Sequence, residues 1–159
     1  MQSENKQSIK TVIVDDHKIF RDGLKALLEF EDHIDIINEA SCGEELFKIV
    51  KNDIPDLVVM DITLPDQNGI ELTRNLKKKY PEIKVLILSA DTSEFTVIEA
   101  IKAGAGGYLH KDTSTEEIIE AIEFVYQGRD YFGHSISEIV FRSYARKINQ
   151  NTTRKNLPH

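Results

Sequence analysis

Carboxylates, one small hydroxyl and one lysine recur at the ends of apolar runs in this chain. Asp15 and Asp16 follow residues 11–14, Asp61 follows residues 57–60, Ser89 closes the run "VLILS", and Lys111 closes "GYLHK". A carboxylate cluster facing a lysine and a hydroxyl suits a hard divalent cation and a phosphoryl group. A carboxylate such as Asp61 is a weak nucleophile, but at neutral pH it needs no deprotonation. Carboxylates packed together repel and raise one another's pKa. A divalent cation removes that repulsion, and a lysine adds a mobile point charge to the same phosphoryl group. Chemistry at such a site is mostly positioning and charge neutralisation.

These residues meet only if the runs are neighbouring strands. The β-branched run Val12-Ile13-Val14 predicts a strand over 10–15, continuous enough to be covered on both faces. Further strands are expected over 34–40, 57–60 and 85–88, with a short fifth at Tyr108-Leu109. Between them lie helical spacings. Phe20, Leu24, Leu27 and Leu28 mark the first helix, Leu46, Phe47 and Val50 the second, and Leu72 and Leu76 the third. A fourth helix over 96–103 ends at Gly104, a C-cap signal, and Ser114 or Thr115 caps a fifth. Strand–helix alternation with right-handed crossovers predicts an α/β, doubly wound parallel sheet. In such sheets ligand sites form at the strand C-termini, which is where the acidic residues, Ser89 and Lys111 fall.

At 159 residues the chain has room for one domain and an appendage. The net charge of −7 argues against a nucleic-acid-binding surface on the main body. No stretch spans a membrane, and the opening residues lack the apolar core of a secretory signal. Cys42 is the single cysteine, so no internal disulfide forms, in keeping with a reducing cytoplasm. The βα alternation is complete near Gly128. Residues 135–148 predict one further amphipathic helix with Ile136, Ile139, Val140 and Tyr144 on one side, and the last eleven residues read as polar linker.

The segments "VIVDDHKIFRDGL", "DLVVMDITLPDQNG", "ILSA" and "AGAGGYLHK" together resemble the receiver domain of bacterial two-component response regulators. The resemblance covers residues 9–128. Asp15-Asp16-His17, Arg21-x-Gly23-Leu24 and Gly107-Tyr108-Leu109-x-Lys111 look most like the NarL/FixJ subfamily, whose members usually carry a C-terminal LuxR-type helix-turn-helix domain. The resemblance implies a flavodoxin-like, five-stranded sheet in the order 2-1-3-4-5 with helices on both faces. It implies residues 129–148 as a helical extension and 149–159 as linker toward a DNA-binding domain outside this chain.

By the same resemblance, Asp61 is the phospho-acceptor. Asp15, Asp16, Asp61 and the backbone carbonyl of Thr63 hold Mg2+. Ser89 and Lys111 contact the phosphoryl group, and the rotamer of Tyr108 reports activation. The implied partners are a sensor histidine kinase and, on phosphorylation, a second copy of the chain. DNA would be reached only through the missing output domain, in the cytoplasm. Such a protein is a signalling acceptor; as an enzyme it acts only on its own phosphorylation and dephosphorylation. His17 reads as a loop residue outside the ligand set, because no second histidine stands at ligand spacing. A competing reading is a magnesium-dependent phosphatase with an aspartyl-phosphate intermediate. Haloacid-dehalogenase-type enzymes, however, place a D-x-D pattern after the first strand, where this chain has Asp15-Asp16-His17. A glycine-loop nucleotide site at residues 104–108 fails, since Leu109 stands where the last glycine is required.

Overall fold

In a computed structural model, residues 8–156 are described, with side-chain surroundings through Thr152. The strands are β1 (Ile9–Val14), β2 (Ile34–Ala40), β3 (Leu57–Met60), β4 (Lys84–Ser89), β5 (Gly107–His110) and β6 (Tyr131–Phe132). The helices are α1 (Lys18–Leu28), α2 (Gly43–Asn52), α3 (Gly69–Lys79), α4 (Glu94–Lys102), α5 (Thr115–Tyr126) and α6 (His134–Asn156). All ladders are parallel and the order is β2-β1-β3-β4-β5-β6. The expected 2-1-3-4-5 arrangement is thus present, extended by a two-residue sixth strand.

Strand alternation divides the core in two. Val12, Val14, Val58, Met60, Val85, Ile87 and Tyr108 face α2, α3 and α4. Ile13, Leu57, Val59, Leu86, Leu88 and Leu109 face α1 and α5. Period-two side chains in strands buried on both faces explain why these runs read as continuously apolar. β2 is an edge strand, which is why it tolerates the polar sequence IDIINEA.

Local signals set the helix ends. Asn68 caps α3 by accepting from the Ile70 N–H at 2.7 Å, and Ser114 caps α5 by accepting from Glu117 at 3.2 Å. Gly104, at φ +108°, ends α4. The Gly104 N–H donates to Ile101 and the Ala105 N–H to Ala100, the pairing of a Schellman motif.

The C-terminal region departs from expectation. The helix expected over 135–148 runs from His134 to Asn156, so most of the segment read as linker is helical; residues 157–159 lie outside the described residues. Ile136 is fully buried in the core with Tyr108 and Val97, and Ile139 and Val140 pack against it. Tyr144, expected on the same side, is 63% exposed. Further along, Arg146 donates to both carboxylate oxygens of Glu94 at 2.7 and 2.9 Å, tying α6 to the start of α4. Apolar anchoring thus holds the first turns of α6, and an ion pair holds the next part.

Candidate functional site

Register brings the acidic residues together. Val14 pairs with Met60, Met60 with Ile87, and Ser89 with His110. The next residues, Asp15, Asp61 and Lys111, therefore emerge side by side at one sheet edge. Backbone bonds fix them there: Asp15 N donates to Ala40 O (3.0 Å), Asp61 N to Val14 O (2.9 Å) and Lys111 N to Ser89 O (3.0 Å).

Asp15 and Asp61 are 1% and 5% exposed, which is unusual for carboxylates without a partner. The partner is Lys111, whose ammonium lies 2.7 Å from Asp15 Oδ2 and 3.1 Å from Asp61 Oδ2. It also sits 4.6 Å above the Phe20 ring, a face suited to a cation. The other Asp61 oxygen accepts from the Ile62 N–H at 2.8 Å. Burial pushes the Asp61 carboxyl above its usual range; the Lys111 hydrogen bond opposes this and the Asp15 charge adds to it. For Lys111, burial alone disfavours the charge, but the hydrogen bonds and charges of Asp15 and Asp61 outweigh it and raise its pKa.

Asp15 is held on both sides. Its Oδ1 accepts from the His17 N–H at 2.8 Å, and its carbonyl accepts from Arg21 at 2.5 Å. Arg21 in turn donates to Glu39 at 2.7 Å. Asp15 Oδ2 is buried, with the Lys111 ammonium 2.7 Å away. Carboxylate oxygens gathered at one sheet edge are the donor set that a hard divalent cation takes. Asp15, Asp16, His17 and Asp61 each bring one donor atom within 4.8 Å of the others. His17, read from the sequence as outside this group, lies with Nδ1 3.1 Å from both Asp15 and Asp16. Its signal was its place next to the acidic pair, where it becomes the N-cap of α1. Thr63 is exposed, two residues past Asp61 in the loop before α3.

Ser89 is buried, and its Oγ accepts from the Asp91 N–H at 3.0 Å. Tyr108 is fully buried, and its hydroxyl donates to the Asp91 carbonyl. Burial pushes that hydroxyl up to about 12, with Ser89 hydrogen bonding working against it. The ring whose rotamer is expected to report activation is interior in this structure. Ser89, Asp91 and Tyr108 form one chain of contacts from the sheet edge to the start of α4.

The loop from Asp61 to α3 is also tied down. Gly69 N donates to Ile62 O at 2.7 Å. A Cβ on Gly69 would lie 2.2 Å from Asp61 O, so only glycine permits this approach. Asp66 spans to α2, accepting from Gly43 N and Glu44 N at 3.0 Å each.

Comparison with known proteins agrees with this geometry. Residues 11–123 match the response regulator receiver domain. The chain is 37% identical over 147 residues to the transcriptional regulatory protein DegU of Brevibacillus brevis, covering 92% of this chain and 62% of that protein. It is 40% identical over 121 residues to the DNA-binding transcriptional activator DevR/DosR of Mycobacterium tuberculosis, covering 76% and 56% respectively. A LuxR-family two-component response regulator from Aurantimonas sp. SI85-9A1 superposes with a TM-score of 0.83 at 30% identity, covering 87% of this chain and 99% of that one. The chain therefore spans under two thirds of the curated relatives' length.

Proposed function

The chain belongs to the response regulator receiver domain family, and from that membership we propose that Asp61 is its phospho-acceptor. Receiver domains are signalling proteins; response regulators interact with histidine kinases and often dimerise. In this reading the donor is a phosphohistidine of a sensor kinase. An Asp61 oxygen attacks phosphorus, the new P–O bond forms as the P–N bond breaks, and the imidazole leaves with the bonding electrons. The observation that carries the reading is the Lys111 ammonium shared between two buried carboxylates, Asp15 and Asp61. A half-buried lysine so placed can release Asp61 and follow the charge onto a phosphoryl oxygen.

Asp15, Asp16, Asp61 and the Thr63 carbonyl would hold Mg2+. The ion, when bound, neutralises the carboxylates and the incoming phosphoryl charge. The backbone N–H of Ile62 holds one Asp61 oxygen in place, leaving the other for the transfer. Ser89 Oγ then turns from the Asp91 N–H to the phosphoryl group. Hydrolysis of the acyl phosphate ends the signal. In the whole protein the readout is transcription, through a DNA-binding portion outside these residues, in the cytoplasm. Among the described residues no helix is long and apolar enough to cross a membrane.

The test is intact-mass measurement after treatment with a small acyl-phosphate donor. Wild-type protein gains one phosphate in Mg2+ and none in EDTA, and Asp61→Asn gains none. A full adduct on Asp61→Asn would place the acceptor elsewhere.

A further inference from the structure

Asp66 takes no part in the chemistry described above, yet its carboxylate is the link that closes a ring of contacts around the site. One side of the ring runs from Asp15 through its bond to Ala40, along Ser41 and Cys42, to the first residues of α2. The other runs from Asp61, bonded to Val14, through Ile62 and along Thr63, Leu64 and Pro65. The two sides meet where Asp66 accepts from Gly43 N and Glu44 N, each at 3.0 Å. The first of these hydrogen bonds is the main reason its carboxyl sits below the usual range.

The consequence falls on Thr63. The Ile62 carbonyl is fixed by Gly69 N at 2.7 Å, and Asp66 is fixed on α2. Only residues 63–65 lie between these anchors, and Pro65 further restricts Leu64. Leu64 packs against the core within this span, and without Asp66 the next hydrogen-bonded anchor is Asn68, the α3 cap, two residues further on. A carbonyl ligand on a longer span costs more entropy to order when a cation binds.

We propose that Asp66 is a positioning residue of the cation site, holding the Thr63 carbonyl in place by anchoring the loop after Asp61 to α2. The proposal rests on the phospho-acceptor reading above, in which that carbonyl is a ligand. Removing a partner that orients a ligand commonly costs tenfold or more in metal affinity.

The experiment is a calorimetric Mg2+ titration of the chain and of three variants: Asp66→Ala, Asp66→Asn and Asp16→Ala. Asp66→Ala should bind about tenfold more weakly. Asp66→Asn should recover part of the loss, because its amide oxygen can still accept from one N–H. Without metal, amide exchange should quicken across residues 62–66 in Asp66→Ala while the melting temperature changes little. Wild-type affinity or unchanged exchange in Asp66→Ala would overturn the proposal. So would a large fall in melting temperature that accounts for the lost binding. If wild type binds no Mg2+, or binds it as Asp16→Ala does, the site reading itself fails and the proposal with it.

Discussion

Asp61 illustrates what a buried carboxyl costs the fold. Its carboxyl is buried and its pKa raised, chiefly by desolvation. A raised carboxyl pKa means that the unfolded chain releases this proton first. The associated stability is present below the unfolded carboxylate pKa and is lost as pH rises through the folded one. Asp61→Asn should therefore melt above wild type at neutral pH in EDTA, with the gap closing as pH falls toward the carboxylate range. Calorimetric scans across pH would check this, and a variant that melts below wild type at pH 7 would show the Lys111 pair to dominate. Lys111 has the same sign in a higher window: its pKa is also raised, so its contribution is full through neutral pH and is lost as pH rises from the ordinary lysine value through the folded one.

Among the elements, α6 divides into two parts with different anchoring. Ile136 is fully buried among residues of the sheet and α4, whereas Phe141 is 71% exposed. Ile136→Ala should cost about 2–5 kcal/mol through lost burial and the cavity left behind. Phe141→Ala should stay within about 0.5 kcal/mol. Urea denaturation of both variants separates them; equal costs would mean that the exposed side of α6 is covered in solution. Because α6 packs against α4, and α4 begins just after the Ser89–Asp91–Tyr108 contacts, changes at the site have a short path to this helix.

For the molecule as a whole, the expected output of phosphorylation is a change of association. A phosphoryl group at Asp61 that captures the Ser89 hydroxyl removes the acceptor of the Asp91 N–H and so biases the start of α4. Sedimentation with a beryllium-fluoride phosphoryl mimic should show more dimer than without it, and Ser89→Ala should lose that response. A few kcal/mol of differential binding is enough to make a minor state the major one. If Ser89→Ala responds as fully as wild type, coupling runs through Lys111 and β5 instead.

Much of this was legible in the residues alone. Strands buried on both faces must be continuously apolar, so the runs ending before Asp15 and Asp61 and at Ser89 announced the central strands, and parallel connection placed their ends together. Local chemistry likewise narrowed the α5 cap to Ser114 or Thr115 and marked the Gly104 stop, because each depends on a few adjacent residues. Other features needed the folded chain. β6 is two residues long and exists only because β5 offers it an edge. The polar end of α6 has no apolar period, so its helicity through Asn156 could not be read from that pattern. The exposure of Tyr144 depends on where α6 meets the domain, which helical spacing alone does not determine. The span from Asp66 to α2 is set by loop paths and long-range contacts. Period and local caps are properties of neighbouring residues and are written in sequence. The closure of loops around a site is a property of distances between distant residues, and tertiary structure alone decides it.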